Sequence, residues 1–377
     1  MFGAMTTWFS MTAVLSEVAS IWKLSSTSES LITIAVQAGF VVGSLFMVVL
    51  NLPDRISSPL LFFGASILAG LTTIVTALFV NDFASALTFR FITGIALAGV
   101  YSPGLKLISS WFKIRRGMAL GLIVGALALG SATPHIFDSF ELPSWRLVLV
   151  ATGIIAISAG ILILAFVPEG PYLSQKSDFD PRAIFKIIRN RNVRFVNFGY
   201  FGHMWELYAM WAWFSVFAMR SLQESGSMDP SIIASLLTFT VLASGAMGSW
   251  LGGVIADKFG RENLILWSLG ISGSMAFLIG FTFGGPPLLI WLLGIVWGIS
   301  STADSAQFNA LITEHSDKHL VGTTLTLQLA VGYTLTIIAI WFVPIFESLV
   351  GWQFVFWLLV PGPIIGFISM YRLKSLR

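Results

Sequence analysis

Two short stretches, each lying between long apolar segments, decide the fold: GGVIADKFGREN, residues 252–263, and LNLPDRISS, residues 50–58. In both, an Asp followed by a basic residue lies in a tight turn, as Asp54-Arg55 and as Asp257-Lys258. An apolar segment of helical length ends before each turn, and another begins after it. This repetition, about 200 residues apart, predicts two related membrane-embedded halves.

The composition places the chain in a lipid bilayer. Hydrophobic residues make up 56% of the 377 residues and charged residues only 10%, and the mean hydropathy is +0.86. A water-soluble globule could not bury this much apolar surface, so the lipid bilayer is a predicted partner of the chain. The absence of cysteine excludes disulfides and thiolate metal sites. We expect no cofactor and no bound metal.

About twelve apolar segments are long enough to cross the hydrocarbon layer, which requires about 20 helical residues. These predicted spans 1 to 12 cover residues 2–21, 30–50, 59–80, 83–107, 117–137, 146–167, 195–219, 230–254, 263–283, 287–312, 321–346 and 351–371. The polar, proline-containing linker at residues 168–194 separates an N-terminal bundle, residues 1–167, from a C-terminal bundle, residues 195–377. The predicted fold is an all-α membrane protein, with two six-helix bundles related by pseudo-two-fold symmetry.

The first span begins almost at Met1. It lacks the charged segment and the cleavage site of a secretory signal, so we expect it to be retained as a helix. We also expect the natural first helix to be longer than this sequence shows.

The two halves resemble each other beyond the quoted loops. At an offset of about 205 residues, Gly117 corresponds to Gly322 and Trp145 to Trp352. A constant offset predicts parallel repeats related by an axis along the membrane normal, which is the architecture of a rocking transporter. Glycines also recur at positions 117, 121 and 125, and we expect this spacing to let another helix approach closely.

Basic residues are unevenly divided between the two sides of the predicted bundle. Connections after even-numbered spans and the C-terminal tail hold most lysines and arginines, whereas the opposite connections hold Lys23, Arg146 and Arg220. The positive-inside rule therefore places both termini in the cytoplasm. The sequence pI of about 9.2 reflects this bias rather than nucleic-acid binding, because no soluble domain surrounds the basic clusters.

Three motifs carry a family resemblance. The loop GGVIADKFGR resembles the best-known signature of the major facilitator superfamily, although its first copy has lost the glycines. RFITGIALAG, from Arg90, resembles the fourth-helix signature, and YSPGLKLISSWFKIRRGMALG, from Tyr101, resembles a cyanate-permease-like bacterial branch. The resemblance covers nearly the whole chain and implies transport by alternating access. The bacterial branch implies the inner membrane.

In this family the two Asp-basic loops latch one half to the other on the cytoplasmic side. The resemblance therefore implies gating roles for Asp54, Arg55, Asp257, Lys258 and Arg261. The simpler alternative is that these residues only end helices.

Few charged or titratable side chains lie inside the predicted spans. They are Glu17 in span 1, Arg90 and Lys106 in span 4, His135 near the outer end of span 5, His203 and Glu206 in span 7, and Asp304 in span 10. A charge at the bilayer centre costs at least about 2.5 to 3.5 kcal/mol, so such residues usually face a partner or a water-filled cavity. The resemblance implies that spans 1, 4, 7 and 10 line a central cavity.

The leading candidates for proton coupling are His203 and Glu206. Residues three apart share a helix face, so the two side chains could exchange a proton in the cavity. The alternative is a structural pair that pins span 7 to a neighbour. Asp304 is a candidate for a second proton site, for an inner-gate partner of Lys106, or for sodium coordination. A structural ion pair is an equally good interpretation of Asp304.

Two basic residues are candidates for substrate binding. Arg90 could hold an anion, or it could pair with Glu17 as an outer gate. Lys106 could bind substrate, or its long side chain could simply reach the inner interface.

Aromatic and polar residues complete the predicted binding site. Trp205 and Tyr208 lie mid-span beside Glu206, and Tyr101 lies in span 4. We expect these rings to wall a pocket for a small molecule. The mid-span polar groups of Gln37, Gln328 and Tyr333 are expected to orient that molecule.

The favoured function is secondary transport of a small organic or cyanate-like anion, coupled to protons, by a monomer. The alternatives are a proton-driven efflux antiporter for hydrophobic or cationic compounds, sodium coupling, and a non-transporting membrane sensor or scaffold. An enzyme is not expected, because the sequence contains no HExxH, no GxxxxGK[ST] and no GxSxG motif.

Overall fold

A computed structural model describes residues 1–50, 52–112, 116–140, 144–172, 184–317 and 320–376, and their regular structure is entirely helical. In the first half, span 1 consists of Phe2–Met5, Ser10–Ala13 and Leu15–Trp22, followed by Ser26–Val49, Ser58–Phe79, Phe83–Trp111, Arg116–Asp138 and Trp145–Phe166 as spans 2 to 6. In the second half, spans 7 to 9 are Arg191–Glu224, Pro230–Phe259 and Arg261–Leu278, and span 10 is Pro287–Ala303 with Ser305–His315. Spans 11 and 12 occupy Val321–Phe354 and Pro361–Lys374, and short helices are Leu52–Arg55, Ile184–Arg189, Ile279–Thr282 and Val355–Leu359.

Nine helical stretches within the described residues are long and apolar enough to cross a membrane. One of them, residues 321–374, includes both predicted spans 11 and 12, which meet where Gly351 has φ 75° and interrupts the helix. Span 1 is not among the nine because it is broken. Nor is span 7, which is rich in Trp and Tyr and carries His203 and Glu206. The predicted all-α membrane fold is confirmed. The bundle boundaries stay predictions, and residues 173–183 of the linker lie outside the described part.

Side chains at the helix starts explain several of these boundaries. Asp82 accepts a hydrogen bond from the Ser85 backbone N–H at the start of span 4, and this lowers the pKa of the Asp82 carboxyl. Asn190 caps span 7 in the same way. The carboxylate of Glu169 accepts from the backbone N–H of Ser58 at 2.9 Å, so the beginning of the linker caps span 3.

Contacts between helix ends define two faces of the molecule. On the face that we call the basic face, Arg261 pairs with Glu314, and the Asn190 amide donates to the carbonyl of His315. The other face, called the opposite face, holds the far ends of the same helices. There the Ser235 hydroxyl donates to Asp138 at 2.5 Å and joins span 8 to span 5.

The two halves meet mainly where span 5 packs on span 8 and span 2 on span 11. The predicted close approach at the span 5 glycines is confirmed. A Cβ atom at Gly121 would lie 2.6 Å from the carbonyl oxygen of Ser249, and one at Gly125 would lie 3.0 Å from that of Ala246. Glycine therefore brings the span 5 and span 8 backbones into contact across the interface.

Span 1 is interrupted at residues 6–9, which are buried and non-helical. The guanidinium of Arg90 donates to the Thr7 carbonyl at 3.2 Å, to the Ser10 hydroxyl at 3.1 Å and to the Thr73 hydroxyl at 2.9 Å. The first of these hydrogen bonds satisfies the Thr7 backbone carbonyl, which lies in the broken part of the helix. The expected Arg90–Glu17 gate is wrong. Among the described residues, Arg90 binds these three groups inside the first half, and Glu17 is exposed.

Candidate functional site

A cluster of aromatic rings joins the two halves at the centre of the molecule. Trp8, Phe40 and Tyr101 come from the first half, and Tyr208, Trp211 and Tyr333 come from the second; we call these six residues the aromatic cluster. The hydroxyls of Tyr208 and Tyr333 are hydrogen-bonded at 2.9 Å. The ring of Phe40 lies 4.4 Å from that of Tyr333 and 4.9 Å from that of Trp8, centroid to centroid. The predicted residues Tyr101, Tyr208 and Tyr333 are thus brought together.

Two neighbouring cavities lie along the interface. A small one, of about 30 Å³, is lined by Tyr101, Tyr200, His203, Tyr208, Trp211, Ser305 and Tyr333, among others. A larger one, of about 420 Å³, lies toward the basic face, and we call it the vestibule. Its lining includes Lys106, Arg261 and Glu314, and both cavities are bordered by Val124 and Asn309. A solute in the vestibule would therefore meet the aromatic cluster next.

A buried titratable pair borders the small cavity. The Nδ1 atom of His203 in span 7 lies 2.9 Å from Oδ1 of Asp304 in span 10, and the side chains are 3% and 1% exposed. The Nε2 atom of His203 lies 3.1 Å from the Ser305 hydroxyl. Span 10 is interrupted at Asp304, between the helices Pro287–Ala303 and Ser305–His315. From the sequence, Lys106 is a candidate partner of Asp304, and Glu206 is a candidate partner of His203. In the structure, Asp304 and His203 contact each other instead.

Glu206 lies inside the second bundle rather than in the cavity. Its carboxylate accepts hydrogen bonds from Nε1 of Trp297 at 2.6 Å and from the Ser272 hydroxyl at 2.9 Å. Residues three apart on an α-helix differ in direction by about 60°. That angle is enough to place His203 at the small cavity and Glu206 against Ser272 and Trp297. Glu206 does not line the small cavity, and proton exchange between His203 and Glu206 stays a prediction.

The remaining predicted binding residues are separated. The indole of Trp205 donates to the Leu358 carbonyl at 3.0 Å, away from the small cavity, which corrects its expected place in the pocket wall. The amide of Gln328 donates to Asn197 at 3.1 Å. Gln37 is fully buried, and neither polar atom of its side chain has a hydrogen-bond partner in the described structure.

The second of the two predicted latch loops contacts the other half. A Cβ atom on Gly117, at the start of span 5, would lie 3.3 Å from Oδ1 of Asp257 and 3.6 Å from a guanidinium nitrogen of Arg261. Arg261 also donates to Gln307 and to Glu314. Lys258 lies over the ring of Phe259. Arg55 is exposed, and the side chain of Asp54 lies outside the described part of the structure.

Sequence reasoning missed several cavity residues, among them Tyr200, Ser305 and Asn309. Tyr200 lies three residues before His203, and its ring stacks on the imidazole at 6.0 Å. Helical spacing from His203 could have identified it. Ser305 gave no such signal, because its role depends on the interruption of span 10. Within the described residues, no group of three or more His, Cys, Asp or Glu is arranged to hold a metal ion.

Comparisons with known proteins agree with this architecture. The family profile described as Major Facilitator Superfamily matches residues 1–226. The MFS-type transporter pynF of Aspergillus niger is 25% identical over 290 residues, covering 74% of this chain and 62% of that protein. The Agnestins efflux protein AgnL12 of Paecilomyces divaricatus is 23% identical over 230 residues, covering 60% and 51%. The chain thus spans between half and two thirds of the length of these relatives.

A solved structure shares the fold. The bacterial homologue of the human lysosomal transporter Spinster, described as inward-facing and unoccupied, superposes with a TM-score of 0.74 at 15% identity. The match covers 100% of this chain and 96% of that one.

Proposed function

The chain belongs to the Major Facilitator Superfamily, and from this premise we propose that it is a secondary transporter that moves a small organic molecule by alternating access, coupled to protons. Membership of this family indicates a transporter rather than an enzyme, embedded in the membrane by many helices. In this proposal the solute passes between the vestibule and the aromatic cluster, and the two halves rock about that cluster. The monomeric state stays a prediction.

The observation that carries the proposal is the His203–Asp304 pair. It connects spans 7 and 10 beside the aromatic cluster, and its atoms are 2.9 Å apart. Buried charges in membrane helices persist mainly where they are paired or used. Binding or release of a proton by the pair changes the interaction between spans 7 and 10. Both spans belong to the second half, but His203 lines the small cavity between the halves. In this proposal a proton on the pair alters the surface against which the first half packs, which is what coupling requires.

The orientation is also part of the proposal. By the positive-inside rule, the basic face is cytoplasmic, and the vestibule then opens toward the cytoplasm. The chain has no native cysteine, so a single cysteine introduced at exposed Ser375 can be labelled selectively. We expect it to be labelled from the cytoplasmic side only. The resemblance to a bacterial branch favours the inner membrane. The fungal origin of the relatives favours a eukaryotic membrane as the alternative.

Two observations favour efflux of a hydrophobic compound: the lining of the site bears on the solute, and the name of one relative bears on the direction of transport. The binding region is lined by aromatic rings rather than by basic side chains, and one relative is named as an efflux protein. We therefore rank an efflux antiporter for hydrophobic compounds above uptake of a cyanate-like anion. Sodium coupling remains an alternative, tested by varying sodium at constant pH. A sensor would bind solute without accumulating it.

Proton coupling is tested in proteoliposomes that contain a pH-sensitive dye. Aromatic solutes are added outside, and the internal pH is recorded. We expect solute-dependent proton movement in the unmodified protein and its loss in Asp304→Asn. Asp229→Asn, at an exposed position outside the cavities, is the matched control and should behave as the unmodified protein. Proton movement that is unchanged in Asp304→Asn would refute the coupling role.

A further inference from the structure

Two buried indole N–H groups, one from each half, lie without a hydrogen-bond partner in the aromatic cluster. Trp8 and Trp211 are each 1% exposed, and the Nε1 atom of each has no partner in the described structure. Both rings pack against Tyr208, with centroids 5.7 and 5.4 Å away. An indole N–H can only donate, and leaving it unpaired in a dry interior costs free energy. These two groups therefore lack an acceptor.

Other tryptophans in the second half are satisfied. Trp213 donates to the Ile340 carbonyl at 3.1 Å, Trp205 to that of Leu358, and Trp297 to Glu206. Unpaired indoles are thus not a general feature of this bundle. Trp211 lines the small cavity, and Trp8 packs against Tyr208, which lines it too. Since buried donors are usually paired, two unpaired indoles at this place indicate that a ligand supplies the acceptor.

The backbone around Trp8 supports the same interpretation. Trp8 lies in the interrupted part of span 1, which Arg90 and Ser10 hold in place through the Thr7 carbonyl. Non-helical backbone at membrane depth occurs mainly where it lines a binding site. Gln37 adds a third unsatisfied group, since it lies one helical turn from Phe40, whose ring contacts that of Trp8.

The charges limit the kind of ligand. Among the described residues that line the small cavity there is no Lys or Arg, and Lys106 and Arg261 line the vestibule instead. A buried anion would find no fixed positive charge in the cluster. A cation would compete with His203 for the carboxylate of Asp304. An uncharged ligand with a hydrogen-bond acceptor avoids both costs.

We propose that the aromatic cluster binds an uncharged, planar aromatic carbonyl compound. Its ring lies among the aromatic side chains, and its oxygen accepts hydrogen bonds from the indoles of Trp8 and Trp211. This inference rests on the proposed function, because it names the substrate class of the same site. The small cavity has room for about one water molecule, so the rings must separate to admit the ligand from the vestibule.

The class of ligand is tested by isothermal titration of the purified full chain with matched probes. 2-Acetonaphthone, 2-naphthoate and a (2-naphthylmethyl)trimethylammonium salt share one ring and differ in charge, and cyclohexyl methyl ketone lacks the aromatic ring. We expect the naphthyl ketone to bind at least about tenfold more tightly than each of the others, which corresponds to about 1.4 kcal/mol. Equal or tighter binding of the anion, the cation or the cyclohexyl ketone, or no binding of any probe, would overturn the proposal.

The hydrogen bonds are tested by conservative variants. Trp8→Phe and Trp211→Phe keep an aromatic ring and remove the N–H, so each should weaken 2-acetonaphthone by about threefold to tenfold. Naphthalene, which has no acceptor, should bind both variants as before. Trp205→Phe removes an indole that is satisfied elsewhere and should leave the affinity for the ketone unchanged. An unchanged ketone affinity in both Trp8→Phe and Trp211→Phe would refute the assigned contacts.

The same measurements separate this inference from the proposed function. Titration needs neither a membrane gradient nor transport. Selective ketone binding without proton movement in proteoliposomes would support the substrate class and remove proton coupling. Proton movement driven by 2-naphthoate, together with weaker binding of the ketone, would overturn the substrate class and leave coupled transport in place.

Discussion

At the scale of single residues, the two acidic groups of spans 7 and 10 have different surroundings. Asp304 faces His203 at the rim of the small cavity, whereas Glu206 accepts two hydrogen bonds from Trp297 and Ser272 inside the second bundle. The first arrangement can respond to a proton arriving from the cavity. The second holds spans 7, 9 and 10 together. We therefore assign coupling first to the His203–Asp304 pair, and a role for Glu206 in coupling stays a prediction.

Replacing Glu206 should mainly affect stability. In Glu206→Gln, one of the two acceptor oxygens becomes an amide N–H2 group, which faces the Trp297 indole or the Ser272 hydroxyl that donated to it. We expect a loss of about 1.5 to 3 kcal/mol in the free energy of unfolding. Thermal unfolding in detergent would measure it, with Ser272→Ala as a milder variant that removes only one bond. Unchanged unfolding together with lost proton movement would instead return the coupling role to Glu206.

At the scale of elements, two interrupted spans frame the binding region. Span 1 is broken at residues 6–9, and span 10 is broken at Asp304. The first break brings Trp8 to the interface, and the second brings Asp304 and Ser305 to His203. Interrupted helices of this kind expose polar groups at a depth where a continuous helix would present only side chains.

Arg90 should be a structural residue of span 1 rather than a substrate ligand. Arg90→Met removes the hydrogen bonds to Thr7, Ser10 and Thr73 and leaves these groups buried. We expect a loss of about 2 to 3 kcal/mol in the free energy of unfolding. In contrast, the relative affinities for the neutral and anionic naphthyl probes should keep their order. A selective loss of affinity for the anion, with unchanged unfolding, would show that Arg90 binds substrate.

The sequence predicted the elements better than their interruptions. Spans 2 to 12 follow from the length of each apolar segment, and the glycine contacts of span 5 follow from their four-residue spacing. The break in span 1 depends on Arg90, about 80 residues away along the chain, and periodicity within span 1 cannot reveal it. Likewise, Asp304, the partner of His203, lies in another span. On their own helix, His203 and Glu206 differ in direction by about 60°, which gives them different neighbours.

At the scale of the whole molecule, the two halves touch along span 5 and span 8 from one face to the other. Gly117 meets Asp257 at the basic face, Gly121 meets Ser249 further along, and Asp138 accepts from Ser235 at the opposite face. Opening toward the opposite face must break the last of these contacts. The vestibule at the basic face indicates which side is open in this structure.

A side chain at Gly121 should hinder the movement of the halves. In Gly121→Ala, the new Cβ would lie 2.6 Å from the Ser249 carbonyl oxygen, so spans 5 and 8 must separate. We expect slower transport in proteoliposomes and a lower unfolding temperature. Gly64→Ala is the matched control, because a Cβ there meets no atom within 4 Å. Equal transport rates in the two variants would show that close packing of spans 5 and 8 is not required.

The central claim, that protonation of the His203–Asp304 pair controls alternating access, is tested most directly by a distance across the opposite face. Spin labels on cysteines at exposed positions 140 and 228, replacing Phe140 and Met228, report the separation of the halves beside the Asp138–Ser235 contact. Pulsed electron resonance at pH 5.5 and pH 8 should show two different distance distributions in the otherwise unmodified protein. In Asp304→Asn, both pH values should give the same distribution, because the pair has lost its carboxylate. A distribution that is independent of pH in the unmodified protein, or that changes with pH equally in Asp304→Asn, would contradict the account.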